Sequence, residues 1–138
     1  AWYNFDMEAT FHNPHSSGAP FWNYGFKFHD TGSVKDYLVL ADGGVWFHRT
    51  YGPAWADVAQ GIFDVSLLDT HAYGSNKLRL TVKGTSGKFY VNGTKIADIR
   101  VSSSPRGSAL GVGTCMFDNQ CMRPEATTRV TDFKASPL

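Results

Sequence analysis

The chain has 138 residues and a mass of 15.2 kDa, enough for one compact domain spanning 1–138 and too little for two. Lys and Arg number 13 against 12 Asp and Glu, so the basic excess of a phosphate-binding domain is missing and nucleic acid is excluded as the main partner. No apolar run approaches the roughly 18 residues of a membrane helix, and an aromatic content of 14% with 14 Gly points to strands and tight turns.

The first element is a strand. Tyr3, Phe5, Met7, Ala9 and Phe11 alternate with Asn4, Asp6, Glu8, Thr10 and His12, giving one apolar and one polar face. Asn13-Pro14 and Ser16-Ser17-Gly18 break it. Trp22, Tyr24, Phe26 and Phe28 then alternate with Asn23, Gly25, Lys27 and His29 until Asp30-Thr31-Gly32. Tyr37–Ala41 and Val45–Thr50 flank Asp42-Gly43-Gly44, a hairpin signal because such turns need positive φ at their centre. The pattern over Trp55–Phe63 is ambiguous, and Leu67–Ser75 reads as a polar loop. Leu78, Leu80 and Val82 predict the next strand, Gly84–Gly87 a turn, and Phe89 and Val91 the strand after it. Asn92-Gly93 is a second hairpin signal, followed by extended segments over Lys95–Val101, Leu110–Met116 and Thr127–Lys134. Nine or ten short strands separated by turn signals predict an all-β, antiparallel sandwich or barrel.

Cys115 and Cys121 are close enough to close a small loop and show no zinc-like spacing to any His. A disulfide between them implies an oxidising compartment; two free thiols are the alternative. The chain opens at Ala1 without a leader pattern, which fits a processed secreted protein, extracellular or at the cell surface, or a trimmed piece. Asn92-Gly93-Thr94 matches a glycosylation sequon, in competition with its reading as a turn.

Four segments carry a resemblance. They are Asn76-Lys-Leu-Arg-Leu-Thr-Val-Lys-Gly, Lys88-Phe-Tyr-Val-Asn-Gly-Thr-Lys-Ile-Ala, Leu110-Gly-Val-Gly-Thr and Thr128-Arg-Val-Thr-Asp-Phe. Together they resemble the concanavalin A-like lectin/glucanase superfamily, in the style of laminin-G-like and 3-keto-disaccharide-hydrolase-type domains. The resemblance implies an antiparallel two-sheet jelly-roll sandwich over the whole chain, with a further strand ahead of Trp2. It does not imply one function, since such folds host lectins, adhesion modules, hydrolases and structural domains.

Glycoside hydrolysis needs two carboxylates flanking the sugar bond. The nearest pair, Asp6 and Glu8, shares a strand face with Asn4 and Thr10 but lacks a third carboxylate at the superfamily's spacing. That stripe is a candidate surface for sugar or calcium; an ordinary solvated sheet face is the alternative. Trp46, His48, Tyr51 and Trp55 are the sugar-stacking candidates, with core packing as the alternative for Trp46 and Trp55 and the expected fate of Trp22. No Gly-x-Ser-x-Gly elbow and no phosphate loop occurs. Asp118-Asn119-Gln120, inside the Cys115–Cys121 loop, reads as a polar turn or a calcium tip. The expected function is a non-catalytic module that binds carbohydrate without a cofactor. The alternatives are an assembly subunit of an extracellular filament or surface layer, using exposed aromatics for contacts with other protein chains, and a disaccharide-derivative hydrolase.

Overall fold

In a computed structural model, the described residues are 3–14, 22–30, 34–102, 109–116 and 128–138. They form ten strands: β1 (Phe5–His12), β2 (Asn23–Asp30), β3 (Lys35–Ala41), β4 (Val45–Tyr51), β5 (Trp55–Ile62), β6 (Ser75–Lys83), β7 (Ser86–Val91), β8 (Thr94–Arg100), β9 (Ala109–Thr114) and β10 (Arg129–Pro137). A single 3₁₀ turn, Val65–Leu67, precedes the loop into β6. Pairing throughout is antiparallel. The first sheet runs β10-β1-β6-β7-β8 and the second β5-β4-β3-β2-β9. This is the predicted jelly-roll sandwich, and the ambiguous Trp55–Phe63 segment is an edge strand of its second sheet.

The alternation in the sequence becomes the interior. Phe5, Met7, Ala9 and Phe11 of β1 and Leu78, Leu80 and Val82 of β6 meet Tyr24, Phe26 and Phe28 of β2 and Leu38 and Leu40 of β3. Rings bridge the two sheets: Phe11 stacks on Tyr24 at 4.6 Å between centroids, and Phe26 meets Phe89 edge-on at 6.4 Å. Such pairs add about 0.5–1.5 kcal/mol beyond area burial. Trp22 is buried against Tyr24, as expected. Tyr3 departs from the pattern. Pairing of β1 starts at Phe5, so Tyr3 lies ahead of the sheet and is 57% exposed.

A hydrogen-bonded network of polar side chains enters one end of this core. The Tyr24 hydroxyl donates to Asn13 Oδ1 and accepts from Asn76 Nδ2, both at 2.9 Å, and its burial pushes its pKa well above the usual tyrosine range. Asn92 extends the network. It sits at φ 50° ahead of Gly93 at φ 88°, the two positive-φ positions of the predicted hairpin turn. Its Nδ2 donates to the Leu67 carbonyl at 2.9 Å and to Asn76 Oδ1 at 2.8 Å. A glycan joined to that nitrogen would leave it one N–H, so at least one of the two bonds would be lost.

Candidate functional site

Strand β4 divides its side chains between two environments. Trp46 and His48 share a face by parity, as the sequence predicts, and that face is the core: Trp46 is 8% exposed and His48 1%. Trp46 pairs with Gly61 of β5, and a Cβ on Gly61 would stand 2.6 Å from its indole nitrogen. The ring fills the space that glycine leaves. Neither residue offers a surface to a sugar, which corrects their placement beside Tyr51 and Trp55. Parity could not decide the matter, because Phe47 and Tyr51 give the opposite face rings as well.

His48 has a structural partner instead. Its Nε2 lies 2.7 Å from Asp36 Oδ1, and His29 Nδ1 lies 3.1 Å from Asp36 Oδ2. Burial alone would raise the Asp36 pKa, but hydrogen bonds from His29 and His48 and the charge these imidazoles can carry outweigh it and hold the carboxyl below its usual value. The carboxylate only accepts, so His48 Nε2 carries the proton. His48 Nδ1 is buried with no hydrogen-bond partner among the described residues. His29 reaches Asp36 from a position whose parity is outward, because the backbone there turns to φ 50° where the β2–β9 register shifts.

Tyr51 and Trp55 lie on the outer face of the second sheet. Gly52-Pro53-Ala54 reverses the chain, with the Gly52 N–H donating to the Ala54 carbonyl at 3.2 Å. This brings Tyr51 and Trp55 into register, their ring centroids 4.7 Å apart. Tyr37 of β3 meets Trp55 edge-on at 4.9 Å. Tyr51 remains 42% and Trp55 46% exposed. The next row across the strands is Tyr37, Arg49 and Asp57. Arg49 Nε donates to Asp57 Oδ1 at 2.7 Å, and its guanidinium lies 4.9 Å from the Phe47 ring centre. Three contiguous rings, their planes tilted by 54° and 60° to one another, form an apolar cluster beside an ion pair that lines one edge. Tyr37, Arg49 and Asp57 were missed by sequence reasoning. The available signal was their parity with Tyr51 on the outward face.

The Asn4, Asp6 and Glu8 stripe lies on the outer face of the first sheet, and its polar groups are engaged. Asn4 Oδ1 accepts from the Gly84 N–H at 2.8 Å. Asp6 receives Arg79 in a fork, Nε to Oδ1 at 2.9 Å and Nη2 to Oδ2 at 2.6 Å. Glu8 lies 2.7 Å from Lys134 Nζ, directly opposite on β10, and pushes the ammonium pKa up. Each carboxylate has a cation against it, the arrangement of a solvated sheet face. Among the described residues no group of three or more His, Cys, Asp or Glu side chains could hold a metal ion. Cys115 follows β9; its predicted partner Cys121, and the Asp118-Asn119-Gln120 tip, lie outside the described residues. No described helix is long and apolar enough to cross a membrane.

Two five-stranded antiparallel sheets packed face to face define a jelly-roll sandwich. Among solved structures, sheep galectin-11 in complex with glycerol is similar at a TM-score of 0.69 and 11% identity, over 99% of this chain and 92% of that one. The carbohydrate-binding module CBM66 from Bacillus subtilis follows at 0.65 and 11%, over 96% and 74%. A galectin from Caenorhabditis elegans stands at 0.63 and 13%, over 98% and 84%. No family model matches the sequence, and no curated protein does either.

Proposed function

We propose that the protein is a non-catalytic carbohydrate-binding module whose sugar lies across Tyr37, Tyr51 and Trp55. The observation that carries this reading is the contiguity of those rings on the outer face, each within 5 Å of its neighbour between centroids. The C–H face of a pyranose stacks on such a surface, while the Arg49–Asp57 pair offers donors and acceptors to its hydroxyls. Support of a coarser kind comes from the fold neighbours, one of which is by name a carbohydrate-binding module. Calorimetric titration with neutral soluble polysaccharides tests it. Binding by the native chain that Trp55→Ala weakens about tenfold while the fold persists supports the reading; no binding to any neutral polysaccharide overturns it. The reading includes secretion, with Cys115 and Cys121 joined outside the cell, and a thiol assay on native secreted protein that finds two free sulfhydryls contradicts that part.

A second reading, self-assembly, is favoured by β5. Among the described residues it is the edge strand of its sheet, with a single charge, Asp57, and no Lys or Pro, and Val58 and Ile62 are exposed along it. Edges of that composition lack the usual protection against strand pairing with another chain. Sedimentation separates the readings: a monomer that binds sugar supports the first, and a polymer dispersed by Val58→Lys supports the second.

A further inference from the structure

Positive and negative charge nearly cancel in the composition but separate in space. On the outer face of the first sheet, Arg79, Lys134 and Lys95 are neutralised by Asp6, Glu8 and Asp98. Lys77, Lys83, Lys88, Arg100 and Arg129 stand exposed on the same face by register and parity. None of these five has an ion-pair partner among the described residues. Away from this face, the described cations are Lys27, Lys35 and Arg49, outnumbered two to one by aspartates.

The unpaired charge concentrates at one corner. Lys83 ends β6 opposite Ser86, Ser86 faces Arg100 at the end of β8, and Lys88 stands two residues along β7 beside Thr81. Strands about 4.8 Å apart and a two-residue rise of about 6.7 Å hold these three basic positions within roughly 10 Å. Asp98, across from Lys88, is taken by Lys95, whose Nζ lies 3.2 and 3.0 Å from its two oxygens. Thr81 and Ser86 supply hydroxyls between the cations.

We propose that this corner, centred on Lys83, Lys88 and Arg100, is a second binding surface that takes an acidic polysaccharide, a sugar chain bearing sulfate or carboxylate groups. The neighbours decide the class. Among the described residues no apolar side chain stands at the outward positions of the corner, which favours a polar ligand over a bilayer. The ring on the sheet face beside the corner, Tyr90, already has the Arg79 guanidinium 5.4 Å over its centre, and the exposed Tyr3 lies ahead of the sheet rather than on its face. Charge and hydroxyls on a flat sheet suit repeated anionic groups along a polar chain.

The surface is separate from the aromatic face, and its test is independent of that reading. Binding to dextran sulfate is compared with binding to uncharged dextran of equal length, to vesicles containing phosphatidylserine and to a single-stranded oligonucleotide. The expected result is dextran sulfate binding that weakens steeply with added salt. Lys83→Glu with Arg100→Glu should weaken it about tenfold or more. Lys27→Glu with Lys35→Glu, an equal charge change on the other sheet, should leave it within about twofold, and Trp55→Ala should not alter it. Absence of dextran sulfate binding overturns the proposal, as does equal weakening by both charge-reversed pairs or tighter binding to the vesicles or the oligonucleotide.

Discussion

The two outer faces of the sandwich come from the same period-two alternation and end with opposite chemistry. On the first sheet the outward positions of β1, β6 and β10 are charged, and cross-strand pairing sets Glu8 against Lys134 and forks Arg79 onto Asp6. On the second sheet the outward positions of β3, β4 and β5 bring Tyr37, Tyr51 and Trp55 together. Strand propensity accounts for aromatics in either sheet, but not for leaving a Trp half-exposed against two Tyr. A solvated face needs charge; a platform needs rings that water covers only until a ligand does. The difference is the ground for proposing that the second sheet is the side that meets neutral sugar.

Substitutions that interchange the roles of buried and exposed groups test this contrast. The largest effect belongs to Trp46→Ala, which opens a cavity beneath Gly61 and should destabilise the domain by about 3–5 kcal/mol in urea unfolding, the usual range for such a truncation. Next is Asp36→Asn, which removes the carboxylate serving both buried imidazoles and should cost about 2–4 kcal/mol at pH 7. Because the folded pKa of Asp36 is depressed, its contribution is present above the ordinary carboxylate range and lost as pH falls through the folded value. Unfolding curves at pH 7 and pH 3 should therefore converge more for Asp36→Asn than for the native chain. Trp55→Ala should weaken neutral-sugar binding about tenfold, the equivalent of about 1.4 kcal/mol, with a far smaller change in stability than Trp46→Ala. Smallest is Lys134→Ala, which breaks an exposed pair with Glu8 and should leave the urea unfolding midpoint almost unchanged.

Much of the fold was legible because one face of most strands is continuously apolar. Phe5, Met7 and Phe11, Tyr24, Phe26 and Phe28, and Leu78, Leu80 and Val82 all face inward as their alternation requires. Turn chemistry located the Asn92-Gly93 hairpin for the same reason, since few residues other than Asn and Gly accept positive φ. The site was legible only in part. Tyr51 and Trp55 stood out because a Gly-Pro turn separates two large rings, and both are exposed. β4 carries rings on both faces, so its composition could not tell Trp46 from Tyr51; the glycine at position 61, one strand away, settles which ring is buried. His48 has the same history. Its role depends on Asp36 and His29, and the His29 side chain turns inward through an irregularity in β2 that no alternation predicts. The Asp6 and Glu8 stripe was visible as a pattern, while its cations lie more than 70 residues away in sequence for Arg79 and farther still for Lys134.

The central claim is that neutral sugar binds the exposed rings of the second sheet and leaves the ion-paired face alone. Titration of the isotopically labelled chain with a neutral oligosaccharide, followed by indole and backbone N–H resonances, tests it most directly. Shifts at Trp55, Tyr51, Tyr37 and Arg49, with Trp46, Glu8 and Lys134 unchanged, are predicted. Shifts centred on β1 and β10, or no shift at saturating sugar, would contradict it.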